Sequence, residues 1–148
     1  MASGRTHDIA GVFAVAALSA VLSPNLQTGA ITPYAFSLLV GGNVIGYSHL
    51  SPDLDLPQSR PSQRWGLLRF TWSPYQRVMP HRGLSHVPIL GSLTRLCYLA
   101  TPIAAIAWLS GYTDLGIWRQ SALLFWIGVE IACLVHLVFD YTPFLRRL

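Results

Sequence analysis

Apolar positions gather in four long runs, roughly Ile9 to Leu22, Ala30 to Tyr47, Val87 to Ser110 and Gly116 to Phe139. Charge, proline and histidine concentrate between and beside them. A helix needs about 20 residues to cross the hydrocarbon core of a bilayer. The third and fourth runs meet that length easily, the second is adequate and the first is short. The first run also has the look of a signal-peptide core, with Arg5 ahead of it and a weak small-residue site at Ala17, Leu18 and Ser19. Retention is the expectation, because cleavage would discard His7 and Asp8. Pro24, Asn25 and Gly29 mark the first turn, and Ser110, Gly111 and Gly116 mark the turn between runs three and four. The pattern predicts an all-α fold. It is a single domain over residues 1–148, an integral membrane bundle of four transmembrane helices with a long cytoplasmic loop between helices two and three.

Composition strengthens this reading. Hydrophobic residues make up 52% and charged residues 11%, against about 25% charged in soluble domains. The net charge of +4 comes from ten arginines with no lysine, and guanidinium groups fork onto phosphate. Arg5, Arg60, Arg64, Arg69, Arg77, Arg82, Arg146 and Arg147 fall on the side of the termini and of loop 51–86, and Arg95 is expected to snorkel there. Only Arg119 sits opposite. The positive-inside rule then predicts a multi-pass protein with both termini and the long loop in the cytoplasm. Trp108 and Trp118 fall where an outer aromatic belt belongs. The stretch QRWGLLRFTWSPYQR mixes basic and aromatic residues, as a segment in the inner headgroup layer does. Such mixtures also bind nucleic acid, but beside a membrane the lipid is the expected partner and no nucleic acid is. Cys97 and Cys133 lie in apolar runs without a CxxC and are expected to be buried filler rather than a disulfide or zinc site.

The histidines change the picture. His7 and Asp8 precede run one, while His49, Asp53 and Asp55 follow run two. His81 and His86 precede run three, and His136 and Asp140 close run four. All five histidines and four of the six acidic residues reach one face, leaving out Asp114 and Glu130. His136 and Asp140, four apart, share a helix face. Asp53 and Asp55, between Pro52 and Pro57, suit an extended turn with both carboxylates on one side. His81 and His86 cannot share one helical face, so Gly83 is expected to turn the chain, with Ser85 as a cap. Each group has a structural explanation by itself: a helix cap, an acidic turn, a packed core histidine. Together, ionisable residues in a small membrane bundle point to function. Imidazole mixed with carboxylate is the donor set of catalytic metal sites. Five histidines and four aspartates exceed one tetrahedral shell, so either some hold ligands in place or two ions bind.

SGRTHD, SPDLDL, QRWG, SPYQ and HRGLSHVPILG, with HLVFD downstream, resemble a family of metal-binding membrane proteins of unknown function from cyanobacteria and other bacteria. The likeness covers essentially the whole chain. More distantly the chain is similar to inner-membrane metal-dependent hydrolases, a group thought to be related to zinc-dependent phospholipase C. Ser85 and Val87 replace a threonine and a serine of their HRG-Thr-His-Ser element. The resemblance implies metal binding at His7, His49, Asp53, His81, His86, His136 and Asp140. The leading expectation is a metal-dependent hydrolase acting on a phosphoester or lipid at the cytoplasmic membrane surface. Zinc is the first expectation for the metal, with manganese, iron or magnesium as alternatives, as one or two ions. Asp53 or Asp55 would act as general base and Arg82 would hold an anionic leaving group. The runner-up is a non-catalytic metal-binding or metal-handling membrane protein. Transport is disfavoured by the apolar outer half of the runs, and a haem bundle by the aspartates beside the histidines.

Overall fold

The computed structural model describes residues 4–81, 83–112 and 118–142, and among these every regular element is helical. Four long helices carry the apolar runs: α1 (Gly4–Gln27), α2 (Pro33–Ser48), α5 (Leu90–Leu109) and α6 (Arg119–Tyr141). Between α2 and α5 lie two short helices, α3 (Arg60–Arg64) and α4 (Ser73–Val78). Three 3₁₀ segments join them, Pro52–Asp55, Gly66–Trp72 and Leu84–His86.

Lengths depart from the apolar runs in an informative way. The first run, short by hydropathy, extends at both ends to a helix of 24 residues: it takes in Thr6, His7 and Asp8 ahead of the run, and Pro24 and Asn25, expected in the turn, lie within its last turns. The second gives only 16 residues, about 24 Å at 1.5 Å per residue against a hydrocarbon core of about 30 Å. Thr32 caps it, accepting the Ala35 amide at 3.1 Å, and Pro33 fixes its first turn. Three helices, α1, α5 and α6, are therefore long and apolar enough to cross a membrane. Their outward faces fit that solvent, with Phe13, Ile103, Ile106 and Leu109 exposed.

α2 packs mainly on α6, and the contact depends on small residues. Gly42 and Gly46 on α2 face Gly128 and Ala132 on α6. A Cβ on Gly42 would lie 2.2 Å from the Phe125 carbonyl oxygen, and one on Gly128 would lie 2.2 Å from that of Leu39. Backbones this close are the small-xxx-small packing of membrane helices. Buried Asn43 reinforces it, donating to the Gly128 carbonyl at 3.2 Å.

The connecting loop is not an open strap. Leu50, Leu54, Trp72 and Tyr75 form a buried cluster with Val129 and Cys133 of α6. The basic-aromatic stretch thus divides: Trp72 and Tyr75 turn inward, whereas Leu67, Leu68 and Phe70 are exposed beside Arg69. Arg95 also differs from expectation. It is 1% exposed and does not snorkel. Its guanidinium donates to the Ser85 carbonyl at 2.9 Å and to Cys133 Sγ at 3.2 Å. The protein interior supplies the partners that an interface would otherwise offer.

Candidate metal centre

Four donors from three separate segments meet at the loop end of the bundle: Asp53, His86, His136 and Asp140. His136 and Asp140 come from one face of α6, with Nε2 3.5 Å from Oδ2. Asp53 Oδ1 lies 3.5 Å from His136 Nε2 and 3.6 Å from His86 Nε2. His86 Nε2 lies 4.0 Å from Asp140 Oδ2. These separations are long for hydrogen bonds. Those of 3.5 and 3.6 Å match the edge of a tetrahedron with metal–ligand bonds of about 2.1 Å, which is about 3.4 Å, and the fourth is longer.

The orientation of the imidazoles supports a metal fit. Ser85 Oγ donates to Asp55 Oδ2 at 2.6 Å, so its oxygen accepts from His86 Nδ1 at 3.0 Å. That places the His86 proton on Nδ1 and aims the Nε2 lone pair into the cluster. Ser51 Oγ lies in hydrogen-bond contact with His136 Nδ1, at 3.2 Å, leaving Nε2 as the nitrogen turned to the cluster. His86 Nε2, His136 Nε2 and Asp53 Oδ1 are buried and make no hydrogen bond among the described residues. Buried polar atoms are rarely left so, and a divalent cation fits them. A held far-side nitrogen is the usual condition of a ligating histidine.

A second group, Asp55, His81 and His86, lies behind the first and shares His86 through its other nitrogen. Asp55 is 3% exposed and accepts from His81 Nδ1 at 3.0 Å. The two carboxylates of SPDLDL therefore do not lie on one side. Residues 52–55 form a 3₁₀ turn after Pro52, and three residues per turn send Asp53 and Asp55 to opposite flanks of His86. Leu84–His86 is likewise a 3₁₀ turn, and Ser85 serves as the bridge to Asp55 rather than as a helix cap.

Charge follows this arrangement. Burial opposes a charged His86, but Asp53 and Asp55 outweigh it and push its pKa up to about 9. Burial also works to raise Asp53, but His136 and His86 hold it well below the usual carboxylate range. Asp55 is lowered despite its burial by His86, Ser85 and His81.

The remaining candidates take other positions. His7 stacks on His136 with ring centroids 3.8 Å apart, and its Nε2 lies 3.3 Å from Asp140 Oδ1. It flanks the four donors as a potential fifth. His49 stands apart from both groups. At the end of α2 its Nδ1 meets Ser48 Oγ at 2.8 Å and its ring packs edge-on against Trp65. Burial and the nearby Arg64 lower its pKa. Asp8 ties α1 to α3, accepting from Arg60 at 2.6 Å and Arg64 at 2.7 Å. Arg82 and Asp114 lie outside the described residues.

Sequence reasoning set Glu130 aside, yet it anchors the segment that carries His86. It accepts the Ile89 amide at 2.9 Å and the Ser92 hydroxyl. Ile89 has φ of 69°, a left-handed conformation unfavourable for a β-branched residue. A carboxylate in mid-run of an apolar helix was the available signal. A cavity of ≈ 260 Å³ opens on the cluster, lined by His7, Asp53, Ser51, Tyr47, Arg60 and others.

Part of the donor set falls within a stretch that has relatives. Residues 2–122 match the uncharacterized metal-binding protein family DUF2227. The chain belongs to this family. His7, His49, Asp53, Asp55, His81 and His86 lie within the matched stretch, and His136 and Asp140 lie beyond it. An uncharacterized protein of Aquifex aeolicus (strain VF5) is 53% identical over 58 residues, covering 39% of this chain and 41% of that relative. The match thus spans less than half of the relative's own length. No solved structure matches the chain. The family is a metal-binding one, and the donor set here is imidazole and carboxylate without cysteine.

Proposed function

We propose that this protein is a membrane-embedded, metal-dependent hydrolase of phosphoesters at the cytoplasmic membrane surface. The observation that carries the reading is the cavity over the cluster, which is lined by Asp53 and His7 and rimmed by Arg60. Asp53, His86, His136 and Asp140 would hold the ion, with His7 able to join them. A divalent ion there supplies Lewis acidity, polarising an ester and acidifying water. Arg60 and Arg64 share the single carboxylate of Asp8 and leave net positive charge at the rim, where an anionic ester is attracted. Ser85 and Ser51 hold the imidazoles in register. Asp55, saturated by Ser85 and His81, acts as an orienting group rather than a base.

In this reading α2 is a short fourth crossing, accommodated by local thinning of the bilayer, and both termini are cytoplasmic. Exposed Leu67, Leu68 and Phe70 enter the inner headgroup layer beside Arg69.

One observation favours the non-catalytic alternative. Four protein donors already complete a tetrahedron, as in structural sites. The deciding experiment strips purified protein with chelator, adds back zinc, manganese or magnesium, and offers a panel of phosphodiesters and phospholipids. Metal-dependent product release, abolished in Asp53→Asn, is the expected result. Stoichiometric metal with every ester intact would replace the enzyme by a metal-binding protein.

A further inference from the structure

An apolar groove of ≈ 490 Å³ runs between α1 and α6 on the flank of the metal centre. We propose that it holds the single hydrocarbon chain of a phosphate-bearing amphiphile whose head reaches the metal cavity, an inference that rests on the hydrolase reading for its head group.

The groove begins where the donors are. On α1 its wall is Thr6, Ala10, Phe13, Ala14 and Ala17, one face at helical spacing. On α6 it is Val135 and Phe139, each one residue before a donor, His136 or Asp140. A step of one residue turns about 100° around a helix. The donors therefore face the bundle while their neighbours face the groove. The alanines are what leave the space open, since larger side chains on this face would fill it.

Length points to a lipid chain. Thr6 to Ala17 spans about 16 Å of helix axis, and half of a hydrocarbon core of about 30 Å is about 15 Å. The groove thus has the depth of one leaflet. Its upper end lies beside His7, which also lines the polar cavity with Arg60. Thr6 lines the slot and its neighbour His7 lines the metal cavity, so the head group of a single-chain phospholipid held in the slot would reach the donors and Arg60 by passing over the first turns of α1.

The probe is a long-chain alkyl phosphate with a diazirine near the chain end, added to zinc-loaded protein in detergent micelles. Labelling should saturate with probe mole fraction and map to the peptides holding Phe13 to Ala17 and Val135 to Phe139. Ala14→Trp and Ala17→Phe, which fill the slot, should each lower it at least tenfold with metal content unchanged. Labelling that grows linearly and equals that of the α5 face at Ile103 and Ile106 would mean bulk lipid only, and would overturn the proposal. So would disulfide cross-linking of an Ala14→Cys variant into covalent dimers, which would give this face to a second copy.

A second arm separates this idea from the hydrolase reading. Where the parent cleaves both ester types, Ala14→Trp should lose at least tenfold on a long-chain phospholipid and keep its rate on a short soluble phosphodiester. Equal effects on both refute the slot and leave the hydrolase standing. Where the parent cleaves neither, the hydrolase fails and saturable labelling alone decides the slot.

Discussion

Replacing Ser85 with alanine breaks the chain of contacts that presents His86, without touching a donor. The hydroxyl bridges His86 Nδ1 at 3.0 Å and Asp55 Oδ2 at 2.6 Å, and Ser85, His86 and Asp55 are all buried. A hydrogen bond to a charged group contributes about 1.5–3 kcal/mol. His86 Nδ1 already stands 3.5 Å from Asp55 Oδ2, so direct contact recovers part of that once the hydroxyl is gone. The remaining loss should sit near the lower end, about 1.5 kcal/mol, or roughly tenfold in metal affinity. This is the lower bound of the 10–100-fold range usual for groups that orient a ligand. Asp55→Asn, which removes the charge itself, should lose nearer to 100-fold, and His86→Ala should lose measurable binding. Competition against a chromophoric chelator gives the affinities, and a thermal melt of the metal-free variants shows that they fold. Parent-like affinity in a folded Ser85→Ala protein would refute the claim that the Ser85–Asp55 relay sets His86.

Metal affinity should rise with pH by about tenfold per unit for each proton displaced, and level off above about 9. His86 is protonated below that pH in the metal-free protein, and a ligand must give up its proton. Calorimetry in two buffers of different ionisation enthalpy counts the protons released, and a pH-independent affinity would contradict the assignment of His86. The same shift has a stability sign. A folded pKa of about 9 against an unfolded value of about 6.5 gives the metal-free protein stabilisation that is full below pH 6.5 and lost as pH rises through 9. Asp53→Asn and His136→Ala should bind no stoichiometric metal, whereas His49→Ala should bind like the parent, read by elemental analysis after desalting. Gly42→Ala drives a methyl into the Phe125 carbonyl and should cost about 1–3 kcal/mol as overpacking does, seen as a lower melting temperature in detergent.

The apolar runs fixed the helical class and the low polar content of the chain before any coordinates. Helical spacing placed His136 and Asp140 on one face, and run boundaries placed histidine and aspartate at one end of the bundle. These are local or one-dimensional properties, so periodicity and position express them. What tertiary structure decided is the direction of each side chain. Asp53 and Asp55 part around His86 because Pro52 starts a 3₁₀ turn held against α6 by the Leu54 and Trp72 core. His49 turns to Trp65 because α3 docks beside the end of α2. Arg95 stays inside because the Ser85 carbonyl, ten residues earlier, folds back onto it. Glu130 gains its role only when Ile89, forty-one residues away in sequence, is brought alongside. Such contacts depend on loops whose conformation is set by long-range packing, and no local pattern in the residues concerned encodes them.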